Sequence, residues 1–181
     1  MTAHRYRLFD TAFGACALAW SDSGLTQVRL PDHSQALTRA NLLARQPQAE
    51  HEPVGGPPFV AAAIEQMQAH LAGAPHDLRE LPLDLSGIRD FEWRVYLATR
   101  ALGPGQTCTY GELANALGDP AAMRAVGQAL GHNPWPLVVP CHRVLAAGGR
   151  LGGFSAPGGS DTKRRLLVLE AGMVRREDQL F

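Results

Sequence analysis

The spacing of apolar residues changes about halfway along this chain, and that change limits the folds open to it more than any other feature. Residues 5–9, 15–20 and 25–30 are short apolar-rich runs, parted by Asp10-Thr11 and by Asp22-Ser23-Gly24. Runs of this length between turn-forming residues read as strands of a β-meander. Helical spacing follows, with Ala36, Leu37, Ala40, Leu42 and Leu43 in 33–46, and Val60, Ala63, Ile64, Met67 and Leu71 in 58–72. Segment 46–58, rich in Pro, Gly and Glu, is expected as a loop. Leu78, Leu81, Leu83 and Leu85 alternate and predict one more strand. Ser86-Gly87 is the best linker, which divides the chain into 1–86, a small sheet with helices, and 87–181, mainly helical. The class is α/β in the α+β sense.

In the second part, Phe91, Val95, Leu97 and Ala101 place a helix over 91–101, ended by Gly103-Pro104-Gly105. Thr109 with Glu112 three residues on is a capping-box pattern for a helix over 110–117. Gly118-Asp119 makes a turn, and Pro120 opens a second helix over 120–130. Helix, glycine turn and helix is a helix-turn-helix pattern. The apolar run Leu137-Val138-Val139 reads as a short buried strand ending at Pro140-Cys141. A Gly-rich loop over 148–159 and a last helix over 163–170 complete the chain.

With 45% hydrophobic and 19% charged residues in 181, the composition is that of an ordinary soluble protein. No apolar run reaches membrane-span length and the N-terminus has no signal-peptide core, so a cytoplasmic location is expected. Cys16, Cys108 and Cys141 form no CxxC pair and no zinc-type spacing, so no metal or cofactor is expected. Net charge is zero, which by itself argues against a nucleic-acid partner. The halves differ, however. Residues 1–87 carry six Arg against nine acids, and 88–181 carry eleven Lys/Arg against eight acids. A polyanion, if bound, belongs on the second half.

A cysteine next to a histidine, after a buried run and a proline, is a candidate nucleophile, because an imidazole can take the thiol proton directly or through water. Cys-His alone is weak evidence, since most lone cysteines are core filler. The wider context is more specific. Pro140-Cys141-His142-Arg143-Val144 resembles the active-site signature of the O6-alkylguanine-DNA alkyltransferases, the methylated-DNA–protein-cysteine methyltransferases. Thr109-Tyr110-Gly111-Glu112-Leu113-Ala114, Arg124-Ala125-Val126-Gly127, Gly131-His132-Asn133-Pro134, Gly152-Gly153-Phe154-Ser155 and the 163–170 helix resemble further segments of that family, in family order. The resemblance is strong over 90–172 and loose over 1–85.

The resemblance implies a fold and a mechanism. The N-terminal domain would be ribonuclease-H-like. Cys141 would accept an alkyl group from O6-alkylguanine in double-stranded DNA, irreversibly and once per molecule, with O4-alkylthymine as a further candidate substrate. His142 and Glu170 would relay the thiol proton, the acid orienting the imidazole as in a hydrolase triad. Tyr110 would donate to guanine N3 and Ser155 would contact O6. The Cys141 and Val144 carbonyls would accept from the exocyclic amine, Phe154 would wall the pocket, and Asn133 would tie the second helix to the cysteine. The target atom lies inside the duplex, so the nucleotide must be extruded. Arg124 would fill the gap, and Ala122, Ala125 and Gly127 would let the helix approach the minor groove. A monomer is expected.

Arg143 reads as an internal salt bridge, Lys163 as either a pocket or a solvated lysine, and Cys16 and Cys108 as buried filler. Met123 departs from the alanine common beside the arginine, and Phe154 stands where some members have tyrosine. Two other readings compete. A non-catalytic alkyltransferase-like protein would bind the lesion without reacting, but such proteins lack the acceptor cysteine. A helix-turn-helix transcription regulator would need a second DNA-reading motif that this chain does not contain.

Overall fold

The computed structural model describes residues 4–178, which form two compact units divided between Leu85 and Ser86. In the first unit β1 (Arg5–Thr11), β2 (Gly14–Ser21) and β3 (Gly24–Arg29) form the expected antiparallel meander. Next come α1 (Gln35–Arg45), the short β4 (Glu50–His51) and α2 (Pro58–Leu71). The sheet order is β3-β2-β1-β4, with β4 parallel to β1. Segment 46–58 is therefore not wholly a loop. The central strand β2 is buried from Cys16 to Ser21, which is why it reads as a continuous apolar run and not as an alternation. Leu42 of α1 closes on Tyr6, Ala17 and Ala19.

The extra strand expected over 77–85 does not form. Asp77 captures the Arg79 N–H (3.1 Å) and starts a 3-10 turn, Leu78–Glu80. Pro82 has no N–H to give to a ladder. What remains is one bridge, Leu25 to Leu83, flanked by Leu25 N–H to Pro82 O and Asp84 N–H to Leu25 O, both 2.9 Å. This close crossing requires Gly24. At φ 152°, a Cβ there would lie 2.8 Å from the backbone of Pro82 and Leu83.

The second unit opens with α3 (Asp90–Arg100). Its inner face is Val95, Tyr96, Thr99 and Arg100, whereas Leu97, expected inside, is 48% exposed. Tyr96 decides this rotation. Its hydroxyl donates to Ala129 O (2.9 Å), and its ring meets Trp135 edge-on at 5.8 Å. The short β5 (Cys108–Thr109) then leads into α4 (Tyr110–Ala116). The capping box is present, with Glu112 N–H donating to Thr109 Oγ1 (3.1 Å) and Thr109 N–H to Glu112 Oε2 (2.6 Å). The second helix is split into a 3-10 turn, Pro120–Ala122, and α5 (Met123–Gly131), because Asp119 accepts from the Ala121 N–H.

Residues 137–139 are not a strand. They form a tight turn closed by Val139 N–H to Trp135 O (2.7 Å), with Leu137 at φ 77°. A left-handed leucine costs on the order of 1–2 kcal/mol. Leu137 and Val138 are both buried, and that burial offsets the strain. Apolar periodicity cannot separate a buried turn from a buried strand in so short a run. Beyond it β6 (Val144–Leu145) pairs in parallel with β5, and α6 (Gly159–Asp178) extends past both ends of its expected span.

Cys16, in the middle of β2, is fully buried, and burial pushes its thiol up from 9.0 to about 12. The unfolded chain ionises first as pH rises, so this group withdraws stability between about pH 9 and pH 12, by at most about 4 kcal/mol. Denaturant titrations across that window should show Cys16→Ala losing less stability with pH than the parent. Equal slopes would remove Cys16 from the alkaline response.

Candidate active site

The site is built where the turn after α5 meets the start of α4. Cys141 opens a 3-10 turn, Cys141–Arg143, set by Cys141 N–H to Val139 O (2.8 Å) and Arg143 N–H to Pro140 O (2.9 Å). Asn133 holds this turn in place. Its Nδ2 donates to Val139 O (2.9 Å) and to Cys141 Sγ (3.3 Å), while its Oδ1 accepts from Trp135 N–H (2.9 Å). The helix C-cap is His132; Asn133, one residue on, donates its N–H to Leu130 O (3.2 Å) while its side chain clamps the turn.

The next two side chains point to α6. His142 Nε2 lies 2.8 Å from Glu170 Oε1. Arg143 grips the same carboxylate through Nε (2.9 Å) and Nη2 (2.8 Å), the internal salt bridge expected of it. All three residues are buried. Gly105 N–H also donates to Glu170 Oε2 (3.3 Å), at φ 77°, where a Cβ would strike Val174.

Lys163 is completely buried, which excludes the solvated reading. Its Nζ donates to Val144 O (2.7 Å) and Gly153 O (3.2 Å) and sits 5.8 Å from the centre of the Tyr110 ring. The signal for this was available in the sequence. Lys163, Leu166, Glu170 and Met173 recur at helical spacing, and all four are buried.

A cavity of about 320 Å³ reaches Cys141, lined also by Tyr110, Gly127, Leu130, Gly131, Gly153, Phe154 and Ser155. Of the residues expected at the site, Tyr110, Phe154, Ser155 and Gly127 meet Cys141 there. Asn133 and Val144 lie behind the wall, and the Val144 carbonyl already accepts from Lys163. Ala122 and Ala125 are half-buried and line no part of this cavity, and Arg124 is exposed on α5. Leu130, Gly131 and Gly153 were not singled out from the sequence; apolar and glycine linings carry no chemical signature. Cys108 is half-buried, not the core filler expected.

Burial pushes the Cys141 thiol up, opposed by the Asn133 hydrogen bond, the Lys163 charge and the Cys141 and His142 N–H groups. Burial likewise pulls Lys163 down and pushes Tyr110 up, the latter helped by Cys141. A thiol held protonated this way needs a base before it can react. His142, oriented by Glu170, is the buried base nearest to it in the chain.

Fold and site together define a cysteine-dependent transferase on a helix-turn-helix scaffold. Residues 90–172 match the family described as 6-O-methylguanine DNA methyltransferase, DNA binding domain. A methylated-DNA–protein-cysteine methyltransferase of Mycolicibacterium paratuberculosis is 40% identical over 165 residues, 91% of each chain. A crystal structure of Mycobacterium tuberculosis OGT in complex with DNA superposes with a TM-score of 0.75 at 37% identity, covering 93% of this chain and 94% of that one. The O6-methylguanine-DNA methyltransferase of Pyrococcus kodakaraensis gives 0.70 at 26% identity, covering 91% and 98%. The chain belongs to the methylated-DNA–protein-cysteine methyltransferases, DNA-repair enzymes that move an alkyl group from DNA to a cysteine. Among the described residues no helix is long and apolar enough to cross a membrane.

Removing the Glu170 carboxylate would strand a buried guanidinium. Glu170→Ala is expected to lose about 3–5 kcal/mol of stability. Glu170→Ala combined with Arg143→Ala should cost clearly less than the two single losses together. Denaturant unfolding of the three variants measures this, and strict additivity would show that the pair is not coupled.

Proposed function

We propose that Cys141 is the alkyl acceptor and that its substrate is O6-alkylguanine extruded from duplex DNA into the 320 Å³ cavity. The observation that carries this reading is the position of Cys141, at the base of a cavity beside Tyr110 and backed by the His142–Glu170 pair. Cys16 is sealed in the other unit, and Cys108 does not line the cavity.

The chemistry balances with these groups alone. With Nε2–H held on Glu170, the His142 lone pair falls on Nδ1, which takes the thiol proton, directly or through water. The thiolate attacks the alkyl carbon in line. An S–C bond forms as the C–O6 bond breaks, and that electron pair leaves on guanine. The Tyr110 hydroxyl donates toward guanine N3 and Ser155 toward O6, which stabilises the departing anion. Lys163 tunes the site by favouring the thiolate and by holding the Val144 and Gly153 carbonyls. No group in the site cleaves a thioether, so each molecule reacts once.

The 86–181 unit reads the DNA and carries the chemistry, and the 1–85 unit supports it. α5 approaches the minor groove as a monomer, with Ala122, Ala125 and Gly127 keeping its surface low. Arg124 is exposed and, among the described residues, pairs with no carboxylate, as a side chain that fills the gap left by an extruded base should be. The protein acts in the cytoplasm, with O4-alkylthymine a second substrate.

Incubation with O6-methylguanine duplex should add one methyl group, confined to the peptide containing Cys141. Label on Cys16 or Cys108, or turnover with free methyl product, would overturn the assignment. Arg124→Ala should slow repair of the duplex far more than reaction with free O6-benzylguanine, which needs no extrusion. His142→Ala should slow both. Single-turnover rates on the two substrates make the comparison. Equal losses for Arg124→Ala would place Arg124 in the reactive pocket or the fold instead.

A further inference from the structure

Met123 is the first residue of α5 and stands next to Arg124, with 53% of its surface exposed. A thioether exposed in this way forgoes the transfer free energy that burial would return. Its Sδ lies over Gly111, 3.8 Å from where a Cβ would stand, so the side chain crosses the start of α4. There it lines a second cavity, about 580 Å³, together with Arg124, Tyr110, Gly111, Gly127, Ala146 and Ala147. This groove shares Tyr110 and Gly127 with the cavity that reaches Cys141, so the two adjoin across those residues.

Charge identifies the occupant. Arg124 lines the groove, and the exposed Arg150 is fixed beside it through Nε–H to Ala147 O (3.1 Å). Among the described residues neither guanidinium pairs with a carboxylate. An apolar floor with one uncompensated positive charge in its lining and a second bonded to its edge at Ala147 fits a flat base whose sugar carries phosphates. An apolar peptide would leave both charges unanswered.

We infer that Met123 is a second wedge. Its thioether packs on the face of the base that neighbours the extruded nucleotide, and the groove between Met123 and Ala147 receives that neighbour. The inference rests on the extrusion reading given above and adds a separate task to it. Arg124 fills the vacated space with a polar group, while Met123 covers the apolar base face that extrusion exposes. Apolar side chains that lean on a base step in the minor groove lower the cost of unstacking it in this way.

The test is the single-turnover rate on O6-methylguanine duplex and on free O6-benzylguanine for Met123→Ala, Met123→Gln and Met123→Leu. Met123 is exposed at a helix start, so all three should fold, and a thermal unfolding scan of each checks this. Alanine and glutamine should lower the duplex rate about threefold to tenfold and leave the free-base rate unchanged. Leucine should restore most of the duplex rate. A duplex rate for Met123→Ala at or above that of the parent makes Met123 a bystander or an obstacle, and overturns the inference. So does an equal fall on both substrates, or a glutamine variant as fast as leucine. Failure of the extrusion reading shows separately, in an Arg124→Ala variant that slows both substrates alike, and the wedge then falls with it.

Discussion

The buried Glu170 carboxylate is the contact on which the 86–181 unit depends. It receives His142 and Arg143 from the active-site turn and the Gly105 N–H from the loop after α3. Arg143 extends the same network to the Leu102 carbonyl at 2.5 Å. A buried carboxylate is tolerable only if its charge is matched and its lone pairs are used. Here one guanidinium supplies the charge and several donors supply the bonds. Meeting that requirement places α6, the end of α3 and the turn bearing Cys141 in one arrangement. The histidine is oriented by the same constraint, so stability and the proposed proton transfer draw on a single cluster.

Asn133 performs a smaller version of the same task. One amide satisfies Trp135 N–H, Val139 O and Cys141 Sγ at once, which couples the residue just beyond α5 to Cys141. The left-handed Leu137 lies inside that clamp. A backbone strained by on the order of 1–2 kcal/mol persists where surrounding contacts over-determine it, and here the Asn133 bonds and the burial of Leu137 and Val138 do so. The end of α5 and the turn bearing Cys141 are therefore tied together. The parallel pairing of β5 with β6 fixes the start of α4 beside the same turn, and Tyr110 lines the cavity with Cys141.

Elements with a local cause could be read from the sequence. The meander showed through Asp10-Thr11 and Asp22-Ser23-Gly24, the capping box through Thr109 and Glu112, and the reactive turn through Pro140-Cys141-His142. Where reading failed, a distant partner or a local breaker decided. Tyr96 turned α3 because Ala129 and Trp135 were waiting for it. The leucines of 77–85 alternated like a strand, but Asp77 and Pro82 broke the ladder and left one bridge beside Gly24. Lys163 looked equally at home in solvent until Val144, Gly153 and Tyr110 closed around it.

The sequence by itself determined the class of fold, the family resemblance and the candidate for the reactive group. Each rests on residue types at short, fixed spacings, where backbone and side-chain chemistry act over one or two turns of chain. Only the tertiary structure decided which of those residues face the cavity. It put Asn133 and Val144 behind the wall, brought Leu130 and Gly153 to the front, and closed Glu170 onto His142 across 28 positions of chain. Such contacts are chosen by burial, by charge pairing and by the need to satisfy every enclosed polar atom. Those demands exist only once distant segments have met.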